Sequence, residues 1–530
     1  MSEELLYLRQ NVQVEPLVDQ WYAWSQLIPP ATTARNITER HLKIMDSYIA
    51  APRLHAAAVK NPQMLGGPFV DYDGRRVDEI RALRDRTLRD RADSIALSRS
   101  LADLDTLLRA SAKGFSLHPL YDRVPERLKG YVELTYDGSN HPSFRLLEPL
   151  LYQSPYHRTL SQSLMLSLIT GDDRPFVLST PRLSHPGHLH LAVPFHDERA
   201  DALFRLKSSP RPWSAIRSLF DVGDDEELFR SFFTTAAPRP YSRYEGDGLR
   251  WRYFGHACVL VETGGRSILF DPVLSYTYDS GISRYTYLDL PDTIDYVLIT
   301  HNHIDHILFE TMLQLRHKVR TIVVGRNNAG VLHDPSLALT LRECGFRNVV
   351  ELAECEAISD GALTITGLPF FGEHGDLAVG TKLGYRVQAG RHSLLFLADS
   401  CNVEPTLYRH IRSVFGRAPV LFIGMECNGA PMSWLYGPLM LQKPERAIDE
   451  SRRLSGSNCE QALSIVDTFG AENVYVYAMG QEPWLNYVMS LKYTEESKPI
   501  VESNRLLAEC RARGIVAERL FGEKEVALAA

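Results

Sequence analysis

No stretch of about 18 consecutive apolar residues occurs anywhere in the 530-residue chain, so a membrane-spanning helix is not expected. The opening, Met1 to Gln10, has neither a basic stretch nor an apolar run, so secretion is not indicated and a cytoplasmic location is the expectation. Positive charge is not in excess either. A net charge of −7 and an isoelectric point near 6.2 argue against a nucleic-acid partner held by phosphate neutralisation. The seven cysteines are odd in number and never at CxxC spacing, which reads as reduced thiols and excludes a disulfide framework or a zinc ribbon. No repeat of solenoid length is visible. What remains is an ordinary globular composition, 44% hydrophobic and 23% charged, with length for roughly two to four domains.

The two halves differ in pattern. Apolar residues recur at helical spacing from Leu5 to Ile28 and from Asn36 to Ile49, with Pro29-Pro30 between them. Val77 to Ala110 predicts one long helix or two stacked ones with a solvated charged face, and Tyr131–Tyr136, Phe176–Ser179 and His190–Phe195 read as short strands. Around Thr234 to Gly248 the composition shifts to Pro, Arg, Tyr and Gly, which places a boundary between a mixed α/β unit, 1–245, and a second unit, 246–530. Past it, nine short apolar runs, from Arg252–Glu262 to Val474–Ala478, read as strands. Four helical patterns lie between them: Ile307–Gln314, Pro335–Cys344, Glu404–Val414 and Asn458–Thr468. That alternation predicts an α/β domain.

The chemistry concentrates after the run ending at Thr300, in His301-Asn302-His303-Ile304-Asp305-His306. Four donors in six residues at the mouth of a buried strand suit two metal ions, His301 and His303 facing one, Asp305 and His306 the other. With Phe254-Gly255-His256-Ala257-Cys258-Val259-Leu260-Val261 and Ile268-Leu269-Phe270-Asp271-Pro272, this HxHxDH pattern resembles the metallo-β-lactamase superfamily over about residues 250 to 490. The resemblance implies an αββα sandwich with metals at one edge and Asp271 buttressing the site. A third ligand of the first metal would come from Phe370–Asp376, where either Glu373 or His374 could serve. Asp399 fits the later bridging position. Tyr477–Glu482, where the superfamily's last histidine would stand, contains none, while Glu426 follows another strand on the same edge, as a metal-shell carboxylate or as a structural cap of a turn. Fewer imidazoles and more carboxylates lean from zinc toward paired iron.

That combination, with the chain length and the unassigned first half, resembles the CmlA-type dinuclear-iron β-hydroxylases of nonribosomal peptide assembly, the chloramphenicol type. The resemblance implies two irons with an oxo or carboxylate bridge: His301, His303 and Glu373 on one, Asp305 and His306 on the other, Asp399 on the second or bridging, and Glu426 nearby. It further implies O2, an external electron donor, and β-hydroxylation of an aromatic aminoacyl thioester, such as L-p-aminophenylalanine, on a carrier domain. Met432, Trp434, Leu435, Tyr436, Leu439 and Met440 could wall an aromatic pocket or be plain core.

Other signals carry less. His185, His188, His190 and His196 with Asp197 read as surface or loop histidines, Gly264-Gly265 as a hairpin turn, and Cys258, Cys401 and Cys427 as small core residues. The first half could dock the carrier or pair two chains into a homodimer, with Arg205, Lys207, Arg211 and Arg217 as a candidate basic patch. Two rival readings stand beside the hydroxylase: a dinuclear zinc hydrolase of the same fold, cleaving a phosphodiester, lactone or thioester, and a non-enzymatic carrier-docking protein with a vestigial site.

Overall fold

The computed structural model describes residues 4–327 and 330–530. In the second half two seven-stranded sheets lie face to face. The first runs, edge to edge, Val349–Leu352, Val319–Gly325, Ile294–Leu298, Arg266–Phe270, Cys258–Thr263, Leu249–Gly255 and Lys524–Leu528. The second runs Ala357–Asp360, Leu363–Leu368, Gly384–Ala389, His392–Phe396, Val420–Gly424, Asn473–Tyr477 and Val516–Arg519. Each joins antiparallel hairpins on one side to parallel strands on the other. Strands such as Leu249–Gly255 and Val420–Gly424 are buried at every residue, which explains why they read as continuous apolar runs, without alternation. Between the sheets aromatic rings interlock: Phe396 stacks 3.8 Å from Phe270 and 4.5 Å from Phe422, and Trp251 meets Phe422 edge-on.

Helices cover both outer faces, completing the expected αββα sandwich. Pro405–Phe415, Cys459–Phe469 and Lys498–Ala512 lie on the second sheet. Cys459–Phe469 begins at a capping box of Asn458 and Gln461 and ends at the left-handed Gly470. On the first sheet lie Phe309–Leu315 and Leu337–Glu343. Every residue of Phe309–Leu315 is buried, because the first half of the chain covers its outer side.

That first half contains a four-stranded sheet ordered Trp21–Tyr22, Val12–Val18, Gln162–Leu168, Leu189–Leu191, a three-stranded sheet and a helical layer. The expected pair Val77–Asp90 and Ala92–Ser111 is present, as is a helical segment from Pro30 to Ala50 interrupted by a π turn at Ile37–His41. Three expectations are corrected. Leu5 to Ile28 is not helical: Leu5–Leu8 and Val12–Val18 are strands, the second with all seven residues buried, and a strand buried on both faces has apolar residues at helical spacing too. Phe176–Ser179 is a turn, in which Thr180 N–H donates to Phe176 O at 3.1 Å. In His190–Phe195 only the start is strand, Leu189–Leu191. One apolar core runs from Leu6 through the first sheet's outer face to Val488, so the halves share it.

Charged groups are buried where the halves meet. Glu310, on the helix that follows the HxHxDH segment, accepts from Tyr276 OH (2.6 Å), Tyr22 OH (2.8 Å) and Arg174 (2.7 Å). Arg174 also pairs with Glu15 at 2.5 Å, and Arg182 pairs with Glu15 at 2.7 Å. Burial would raise the Glu15 carboxyl, but Arg182 and Arg174 outweigh it and hold it at about 2.

Candidate metal centre

The donors gather where strands of both sheets end on one edge. His256, Asp271, Ala398 and Ala478 each sit at or just past a strand end, and Glu373 in the loop after Leu363–Leu368, all with φ between 36° and 67°. Non-glycine residues there cost about 1–2 kcal/mol each, and the sharp turn throws the adjoining side chain across the edge instead of along the sheet. Ile294–Leu298 leads through Thr300 into His301–His306, and Asp271, after Arg266–Phe270, ties that loop down. Its carboxylate accepts from Thr300 N–H (2.7 Å) and Thr300 OH (2.7 Å) and lies 2.8 Å from His306 Nδ1. Nε2 of His306 is thereby turned toward Asp399 Oδ2, 2.9 Å away.

Three groups of donor atoms could hold a metal, and among the described residues all lie on this edge: His301, His303 and Glu373; His301, His306 and Asp399; and His256, Asp305 and His306. Glu373 Oε2 is 2.8 Å from His303 Nδ1 and 3.7 Å from His301 Nε2. Asp399 Oδ2 lies 3.8 Å from His301 Nε2, between the two halves of the cluster. His301 Nε2 and Asp399 Oδ1 are buried with no hydrogen-bond partner, a costly arrangement in a protein interior unless a cation meets them. The donor set fits metal ions. Burial pushes Glu373 up to about 7 and His301 well below its ordinary range. His303 moves upward: burial opposes this and the Glu373 carboxylate outweighs it.

The choice left open between Glu373 and His374 is met by their orientations. Glu373 enters a donor group and His374 enters none. His374 Nδ1 faces the Tyr436 hydroxyl at 3.0 Å, and that hydroxyl lies 2.8 Å from His303 Nε2. Tyr436, read from sequence only as a pocket wall, is thus joined to a candidate ligand. Glu426 enters none of the groups. It is half-buried, its Oε2 lacks a partner, and burial with help from the Asp399 charge pushes it up to about 8. His256, present in the opening motif but given no role there, is fully buried 3.0 Å from Asp305 Oδ2. No sequence signal links the pair, because 49 residues separate them.

The remaining candidates fall elsewhere. The histidines at 185, 188, 190 and 196 join no metal-type group among the described residues. All seven cysteines are free, and burial raises the thiols of Cys258, Cys401 and Cys427. The basic patch is corrected at Lys207, which is 1% exposed between the rings of Tyr276 and Tyr287. Arg205 and Arg211 instead line a cavity of about 680 Å³ with Arg316, Arg320, Arg342 and Arg347. It opens at Val319 and Arg320, the start of a strand parallel to Ile294–Leu298, and so lies at the end of the sheet away from the metal edge. No helix is long and apolar enough to cross a membrane among the described residues.

Comparison with known proteins agrees with this geometry. Residues 7–238 match the diiron non-heme beta-hydroxylase N-terminal domain family, and residues 266–477 the beta-lactamase superfamily domain. The 4-amino-L-phenylalanyl-[CmlP-peptidyl-carrier-protein] 3-hydroxylase of Streptomyces venezuelae is 41% identical over 525 residues, 97% of this chain and 98% of its own. The crystal structure of CmlA, a diiron beta-hydroxylase from the same organism, superposes with a TM-score of 0.94 at 39% identity, covering 99% of this chain and 100% of CmlA. A mutant of CmlA gives 0.91 at 38%, with the same coverage. Likeness over the whole length, carried by both halves and by a carboxylate-rich metal edge, sets aside the hydrolase and the non-enzymatic readings: the chain belongs to the CmlA-type diiron non-heme β-hydroxylases, enzymes with a metallo-β-lactamase-fold domain behind a family-specific first half.

Proposed function

We propose that the protein hydroxylates the β-carbon of an aromatic aminoacyl group, of the 4-aminophenylalanyl kind, held as a thioester on a peptidyl carrier domain. His301, His303 and Glu373 would hold one iron and Asp305 and His306 the other, with Asp399 available to the second or to both. The observation that supports this reading is Glu373: a buried carboxylate completes the first donor group, whereas the neighbouring His374 imidazole, beside Tyr436, joins none. Hard oxygen donors in that place suit iron better than zinc. When bound, the iron pair supplies reduction of O2 by two electrons from an external donor, one oxygen atom going into the C–H bond and the other into water. The chain's own groups orient and enclose. Asp271 and Thr300 fix the His306 ring, Tyr436 fixes the His303 ring, and the edge excludes water, with Glu373 and Asp399 each only 7% exposed. Glu426, which burial favours in its protonated form at neutral pH, stays outside the donor groups as a reserve carboxyl within the field of Asp399.

For the carrier's arm, a cavity of about 510 Å³ on the metal-edge side offers the better seat. Its floor includes Phe69, Phe176, Trp434 and Met440, and its rim carries Arg40, Lys43 and Lys443, suited to a pantetheine chain and its phosphate. Arg40 donates to the carbonyls of Trp434 (2.8 Å) and Leu435 (3.3 Å), next to Tyr436. Units 1–245 and 246–530 then divide the work, the first meeting the carrier or a second copy of the chain and the second holding the metals.

Metal analysis of protein from iron-supplemented cells, with optical spectra before and after reduction, tests the reading, followed by an assay on carrier-loaded 4-aminophenylalanine. About two irons per chain, a near-ultraviolet band that bleaches on reduction, and a product heavier by one oxygen atom are expected. Two zinc ions with hydrolysis of simple esters, and no gain from iron, would overturn it.

A further inference from the structure

His256 sits in the two-residue turn between Leu249–Gly255 and Cys258–Thr263, with φ 51°, and this left-handed turn carries its imidazole into the metal edge. Its main-chain oxygen accepts from Ala478 N–H (2.8 Å) and its Nδ1 from Gly480 N–H (3.1 Å). Its Nε2 faces Asp305 Oδ2 at 3.0 Å. By distance alone, His256, Asp305 and His306 form a metal-type group. The hydrogen-bond chemistry decides otherwise. A neutral imidazole whose Nδ1 lone pair receives an N–H bond carries its own proton on Nε2. That nitrogen then has no lone pair for an ion, and the reverse tautomer would set two donors, Nδ1–H and Gly480 N–H, against each other.

We infer that His256 is a positioning residue for the second metal site, a fixed Nε2–H donor that takes one lone pair of Asp305 Oδ2 and holds that carboxylate in a single orientation. The inference rests on the assignment of Asp305 to the second iron. Two consequences follow. Donation to a ligand carboxylate draws electron density from it, so the iron pair is easier to reduce than it would be with Asp305 unbonded. And because His256 fills the space beside Ala478–Gln481, a stretch without an imidazole of its own, it supports the second site without completing it, which leaves a position for an exogenous ligand.

Two substitutions separate the possibilities. His256→Leu removes donor and acceptor, whereas His256→Gln keeps an N–H donor near the Nε2 position. The leucine variant is expected to release one of its two irons at roughly 10- to 100-fold lower chelator concentration, with a reduction midpoint below that of the wild type, and glutamine should restore both in large part. Electron spin-echo spectra of the half-reduced protein should show the same number of iron-coupled imidazole nitrogens in wild type and His256→Gln. Loss of a coupled nitrogen would make His256 a ligand and overturn the inference, as would a leucine variant with unchanged iron retention and midpoint. Should the leucine variant fail to fold, nitrogen-15 shifts of His256 in the wild-type holoenzyme still decide, because a proton found on Nδ1 contradicts the assignment. Asp305→Asn tests the underlying reading separately: if it keeps both irons with an unchanged spectrum, the placement of Asp305 on the second iron fails, whatever His256 does.

Discussion

Replacing Tyr436 by phenylalanine removes one oxygen atom and leaves the ring in place. That oxygen lies 2.8 Å from His303 Nε2 and 3.0 Å from His374 Nδ1, two ring nitrogens themselves 3.2 Å apart, in a pocket where all three side chains are buried. The loss removes one bridging partner, and because the two ring nitrogens can still pair with each other its cost to the folded state is about 0.5–1.5 kcal/mol. It also frees the His303 ring to turn about an axis now fixed by hydrogen bonding. Loss of such an orienting partner weakens metal binding about 10- to 100-fold, or about 1.4–2.8 kcal/mol. Chelator competition followed by iron absorbance measures the second quantity, and urea unfolding of metal-free protein measures the first. One iron of the pair should leave at least tenfold more readily, the other close to its wild-type midpoint, and hydroxylation should fall with the population of intact pairs. If both irons keep their midpoints within a factor of two while metal-free stability drops, the hydroxyl serves packing alone and the relay from His303 to His374 is irrelevant to the metal.

Lys207 gives a pH test. Burial lowers its ammonium from 10.5 to about 7, so the folded state binds fewer protons than the unfolded chain between about pH 7 and 10.5, and stability rises with pH across that window. Lys207→Met should stabilise the protein most at pH 7, the cost relieved being about 4 kcal/mol at most, less the lost contacts of the ammonium with the rings of Tyr276 and Tyr287, and its gain over wild type should shrink as pH rises toward 10.5; a gain that stays constant from pH 7 to 10 would refute this. Glu15 gives a slope of the same sign in the acid range, there as a stabilising contribution and not as a cost. Its carboxyl is held down from 4.5 to about 2, which contributes about 3 kcal/mol above pH 4.5 that is lost as pH falls toward 2, and Glu15→Gln should abolish this acid-dependent part in urea titrations from pH 5 to 2. At the proposed arm site, Lys43→Glu with Lys443→Glu should raise KM for carrier-bound substrate several-fold and leave KM for a phosphate-free pantetheine thioester unchanged; equal KM values for both enzymes on carrier-bound substrate would remove the cavity from the reading.

The metal loop was legible because its donors are contiguous: a strand end followed by HxHxDH needs no long-range information. Asp399 was legible because it follows an apolar run directly, whereas Glu373 was set apart from His374 only by the family resemblance. Tyr436 and His256 were not legible. Their partners lie 133 and 49 residues away, and their roles depend on which ring nitrogen carries a proton, which spacing does not encode. The alternation of strands and helices in the second half anticipated the sandwich, although Val349–Leu352, Ala357–Asp360, Val516–Arg519 and Lys524–Leu528 escaped notice as short, partly exposed edge elements. Val12–Val18 was misread although Val12-Gln13-Val14-Glu15 alternates, because the alternation is short and lies inside a longer stretch of apolar residues from Leu5 to Ile28. Lys207 looked like a surface charge because a lysine is rarely buried without a carboxylate partner.

The apolar core shared by the two halves bears on how this molecule could be taken apart or recombined. Phe309–Leu315 has no face designed for water: freed of the first half, it would present Phe309, Met312 and Leu313 to solvent and leave Glu310 without Tyr22 and Arg174. A catalytic fragment cut near residue 245 would therefore be an aggregating species, not a minimal enzyme. Chimeras between relatives should keep the surface of this helix and the strands that cover it from one parent.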